Sequence, residues 1–110
     1  MTTVEINSGI CGFTTIVKAE GKPGFMASFQ LESQCPNWNK VNTALGGVEL
    51  NVMGELFKNK ESGVLESQVL DLALKTIPHV SCPVISGLLK ALEVSAGLAL
   101  PKDAQIQFKD

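Results

Sequence analysis

The chain has 110 residues, 45% apolar and 18% charged, with a net charge of -2, which suits one folded domain around one core and excludes a disordered chain. Nine lysines and no arginine leave neither a basic stripe nor the bidentate fork that grips phosphate and guanine, so nucleic acid is not expected as a partner. Met1–Glu5 lacks a signal peptide's basic and apolar regions, and the apolar run from Val84 to Leu100 carries Lys90 and Glu93, so the expectation is a cytoplasmic protein with no membrane contact.

In chain order, Val4 and Ile6 alternate with polar neighbours and predict a first strand, with Ser8-Gly9 as a turn. Residues 10–20 predict a second strand, with Cys11, Phe13, Thr15, Val17 and Ala19 on one face. Gly21-Lys22-Pro23-Gly24 is a turn signal, and residues 25–33 return as a third strand through Ala27, Phe29 and Leu31. Both strands must turn their apolar sets to the same side. Pairing Val17 with Phe29, Ala19 with Ala27 and Thr15 with Leu31 achieves this, and the same register sets Cys11 opposite Cys35. Directly paired Cβ atoms are only ~5 Å apart.

Pro36 then opens a helix over 36–45, with Trp38, Val41 and Leu45 on one stripe and Gly46-Gly47 as its stop. Residues 48–63 carry a short helix through Val52, Met53, Leu56 and Phe57, and no role is read there. Residues 64–76 predict an amphipathic helix stopped by Pro78. Val84 to Gly97 is apolar nearly all round, which predicts a helix buried nearly all round. With Pro83 at its first position, Cys82 falls at the N-cap, as Cys35 does before Pro36. Ala104, Ile106 and Phe108 alternate as a last strand.

Two cysteines at helix starts are chemically biased, because free N–H groups and the positive helix end favour thiolate over thiol. Cys11, Cys35, His79 and Cys82 together match the ligand set of tetrahedral zinc, and His79-Val80-Ser81-Cys82 has the spacing of two ligands from one loop. The three sulfurs could equally hold an iron–sulfur cluster. Two other readings stand beside this. One is metal-free thiol chemistry, with Cys82 or Cys35 attacking, Cys11 resolving and His79 as base. The other is an interaction or scaffold domain whose cysteines are inert and buried. The sequence does not decide whether the protein is an enzyme. Glu49, Glu55, Glu61, Glu66 and Asp71 are scattered on polar faces and read as solvated surface. Gly46-Gly47 follows a helix rather than a strand and so is not a phosphate loop.

Ile10-Cys11-Gly12-Phe13-Thr14-Thr15, Cys35-Pro36 and the stretch from Pro78-His79 to Pro101-Lys102-Asp103 resemble a family of short prokaryotic proteins. That family is a domain of unknown function met in anaerobes and archaea, and the likeness is clearest at the C-terminal helix. The resemblance implies no reaction. It implies a cytoplasmic, oxygen-sensitive setting in which thiolate–metal sites persist.

The expected architecture is a single α+β domain over residues 1–110. A small antiparallel sheet of about four strands, the first three plus the C-terminal one, packs on one face against three or four helices, with the helix 84–97 central. The apolar content permits a homodimer.

Overall fold

A computed structural model describes residues 1–110. Four strands, β1 (Thr2–Asn7), β2 (Thr14–Lys22), β3 (Met26–Ser33) and β4 (Leu50–Asn51), form one antiparallel sheet in the order β1-β2-β3-β4. Strand alternation sorts its two faces. Ile6, Thr15, Val17, Ala19, Ala27, Phe29, Leu31 and Leu50 are buried on the inner face. Glu5, Lys18, Glu20, Gln30 and Glu32 stand in solvent on the outer one. Four helices follow: α1 (Pro36–Leu45), α2 (Val52–Leu56), α3 (Gln68–Thr76) and α4 (Val84–Ser95). The fold is α+β. The apolar side of α4 covers β1 and β2 and meets α2 and α3, so Val84, Leu88, Ala91 and Leu92 lie at the middle of the core.

The β2–β3 register differs from the expected one by two residues: Val17 pairs with Leu31, Ala19 with Phe29 and Thr15 with Ser33. A two-residue slip keeps every side chain on its own face, so hydrophobic alternation alone does not distinguish the two registers. The turn does. β2 runs on through Lys22, which pairs with Met26, and the loop is Pro23-Gly24-Phe25. Pro23 supplies the fixed φ that opens it, and Gly24 and Phe25 both take positive φ (79° and 59°) to close it.

The last strand of the sheet is not the C-terminal segment. The fourth strand of the sheet is Leu50–Asn51, just before the short helix at Val52, and residues 101–110 form no strand. β4 pairs only with Met26 and Ala27. The rest of that edge of β3 is occupied by α1 and the turn after it. The Leu31 N–H donates to Asn42 Oδ1 (2.9 Å), the Ser33 N–H to Asn39 Oδ1 (3.2 Å), and the Gly47 N–H to the Phe29 carbonyl (2.8 Å). These bonds fix α1 against the sheet and bring Trp38, Val41 and Leu45 into the core.

α3 begins at Gln68 rather than Val64, because Ser67 is its N-cap: its Oγ accepts from the Leu70 N–H (3.1 Å). Glu55 completes the cap. It is buried, not solvated as its polar setting in the sequence suggested. Its carboxylate accepts from Ser67 Oγ (3.0 Å), the Gln68 N–H (3.0 Å) and the Val69 N–H (2.9 Å). An anion at a helix start satisfies orphan donors and meets the positive end of the dipole. Glu55→Ala leaves the Ser67 hydroxyl and the Val69 N–H buried and unpaired, and is expected to cost about 2–3 kcal/mol in urea unfolding, with Glu55→Gln losing less.

Candidate functional site

The connection between β1 and β2 is a tight turn, not an extension of the second strand. Ser8 N–H donates to the Phe13 carbonyl (3.0 Å) and Gly12 N–H to the Gly9 carbonyl (2.9 Å). Gly9 and Gly12 take φ of 84° and 72°, a region that glycine enters without steric cost. Cys11 therefore sits exposed on a turn, and the observed register, continued, sets Phe13 rather than Cys11 opposite Cys35. Cys35 is at the N-cap of α1 with Pro36 after it, as expected, but its thiol makes no capping hydrogen bond. Cys82 is one residue outside the expected cap: Pro83 is the N-cap and α4 starts at Val84. The Ile85 N–H bonds instead to the Cys82 carbonyl (3.3 Å), so the backbone rather than the sulfur of Cys82 serves the helix start.

These positions come from three separate parts of the chain, yet they border one cavity. It encloses about 140 Å³ and is lined by Ser8, Cys11, Phe13, Cys35, Asn37, Trp38, Ile77, Pro78, His79 and Cys82. All three cysteines, the single histidine and the single tryptophan of the chain are among them. The turn between β1 and β2 forms one wall, the start of α1 another, and the link from α3 to α4 the third. Exposure falls from Cys11 and His79, both open to solvent, through half-buried Cys35 to buried Cys82. Exposed apolar side chains flank the two outer turns, Ile10 beside Cys11 and Val80 beside His79.

The expected ligand cluster is not formed in this conformation. No three of the chain's His, Cys, Asp or Glu side chains stand close enough together to hold a metal ion. The reason is visible in the corrected positions: Cys11 is carried out on its turn, and His79 stands exposed outside the link to α4. Trp38 is buried in the cavity wall, and its Nε1–H has no hydrogen-bond partner. A buried donor left unpaired is uncommon and costs roughly 1–3 kcal/mol.

Residues 2–108 match a family of unknown function, DUF6951. The chain belongs to that family. The match runs from β1 through α4 and on past Ile106, so the sheet, the cavity and the C-terminal segment all lie within it. No curated protein and no solved structure matches the chain. No helix is long and apolar enough to cross a membrane.

Proposed function

We propose that the cysteine-lined cavity is the functional site and that it takes up a thiophilic metal, zinc or an iron–sulfur cluster, on Cys11, Cys35, His79 and Cys82. The observation that carries this reading is the gathering of every sulfur nucleophile and the single imidazole of the chain around one small space. Thiolate and imidazole are the donors that soft and borderline metals prefer. Loading would draw the Ser8–Phe13 turn and the Pro78–Ser81 link inward, since the core below them contributes only Cys82 and Cys35. A reducing cytoplasm is the compartment in which such a site would persist.

Titration of the reduced, full-length protein with cobalt(II), a spectroscopic stand-in for zinc, tests it. The expected result is saturation at one ion per chain with thiolate-to-metal absorption, displacement by zinc, and a change in Trp38 emission. Protein prepared without oxygen is expected to carry zinc, or iron with sulfide, near stoichiometry. Absence of thiolate-to-metal absorption at saturating cobalt, together with metal-free anaerobic protein, removes the reading.

A second reading rests on Cys35 alone among the three. It is half-exposed, at the start of a ten-residue helix, with no side-chain partner, which suits an attacking thiolate with Cys11 resolving. A thiol that reacts fast with a disulfide reagent at neutral pH, in metal-free protein, would favour this over the metal site. A thiol that reacts only on unfolding would favour neither.

A further inference from the structure

The two edges of the sheet are treated differently. The β3 edge is closed along its length by β4, Asn42, Asn39 and Gly47. The β1 edge is open: no backbone group of Thr2–Asn7 bonds to anything outside the sheet. Nor does β1 carry the usual protections of an edge, since it has no proline, no bulge and a single charge, Glu5. Val4, on its inner side, is only half-buried.

The same molecule presents a segment shaped to fill such an edge. Ala104, Ile106 and Phe108 alternate with Gln105 and Gln107, yet no backbone group beyond Lys102 is hydrogen-bonded. Ile106 is 83% and Phe108 91% exposed. Both segments place their apolar side chains on even-numbered residues: Val4 and Ile6 in β1, Ala104, Ile106 and Phe108 in the tail. Any pairing of even with even residues continues the buried face and keeps Thr3, Glu5, Gln105 and Gln107 in solvent. Setting Phe108 opposite Val4 in antiparallel sense also brings Lys109 diagonally beside Glu5.

The tail's own β1 is the poorer acceptor. α4 runs against β1: Gly87 lies on Ile6, whereas the Ser95 carbonyl lies on Gly21, past the Thr2 end of the strand. A tail leaving α4 and folding back on its own chain would run parallel to β1 in an otherwise antiparallel sheet. On another chain it is free to pair antiparallel, which is the more stable pairing per residue.

We propose that Ala104–Phe108 is a strand that adds to β1 of a second copy, so that two chains exchange tails in a symmetric dimer. The metal reading is independent of this. Light scattering of the full-length protein over a concentration series, with amide exchange at the same concentrations, tests it. The expected result is twice the monomer mass, with protection of both β1 and 104–108 that rises with concentration. The double variant Ile106→Asp/Phe108→Asp, whose altered side chains are exposed in the monomer, should run as a monomer with an unchanged unfolding midpoint at high dilution. A monomeric wild type overturns the proposal, whether its tail is free or protected independently of concentration. So does a dimer that survives the double substitution.

Discussion

Cys82→Ser is expected to weaken metal binding by roughly 100-fold or more, the scale reached when even the groups supporting a metal ligand are altered. Cys82 is the buried member of the set, and a hydroxyl is a far poorer donor to zinc or iron than a thiolate. The cost to the fold should be about 1 kcal/mol, because Cys82 lies at the edge of the core, where it also borders the cavity, and a serine there buries one added polar atom. Cys82→Ala gives the control: it removes the donor without introducing a buried hydroxyl, and should lose metal just as far. Cobalt absorption reads the binding and urea unfolding of metal-free protein reads the fold, so the two effects separate. Equal metal affinity in both variants and the wild type would take Cys82 out of the site. Trp38→Phe should change the stability of the metal-free protein little, since it deletes an unpaired donor but also leaves a void where the largest buried side chain stood.

Gly21→Ala should cause the largest loss of stability among the glycine-to-alanine changes. A Cβ at Gly21 would overlap the backbone carbonyl of Ser95, at the point where the last turn of α4 crosses β2. A backbone atom has no rotamer by which to move away, so the helix end or the strand must shift. The expected cost is about 3 kcal/mol, at the upper end for overpacking, and a drop in Tm of roughly 10 °C. Gly24→Ala is the contrast: nothing lies near its Cβ, and only its φ of 79° penalises alanine, by about 1 kcal/mol. If thermal unfolding ranks the two alike, the close approach of α4 to β2 is not what Gly21 provides.

The strands and helices were legible where one physical preference dominated. Alternation from Thr15 to Ala19 and from Ala27 to Leu31 marks a sheet with one wet face. Cys35-Pro36 marks the start of α1, and the apolar run from Val84 marks a central helix. The register was not legible, because two pairings differing by two residues satisfy the same pattern, and the choice lies in the φ values of Gly24 and Phe25. The same gap hid the placement of Cys11. A strand and a turn both account for Ile10-Cys11-Gly12-Phe13, and the positive φ values of Gly9 and Gly12 decide for the turn.

Glu55 shows the opposite failure. Its spacing among polar neighbours reads as surface, but it is the partner that Ser67, Gln68 and Val69 need when α3 is laid beside α2. A buried charge is identified by what it bonds, and those partners are distant in sequence. The tail gave a strand pattern that the isolated chain does not use, since alternation reports what a segment can pair with, not whether a free edge is within reach.

By itself the sequence determined the inward faces of β2, β3, α1 and α4, the class of the fold and the residue types available for chemistry, because those depend on local pattern and on which side chains exist at all. Only the tertiary structure decided that Cys11, Cys35, His79, Cys82 and Trp38 share one cavity, how far apart they stand in it, and which edge of the sheet is left open. Those properties depend on turn geometry and helix placement, where small differences in backbone angle, invisible in the pattern of apolar residues, move a side chain from one wall to another.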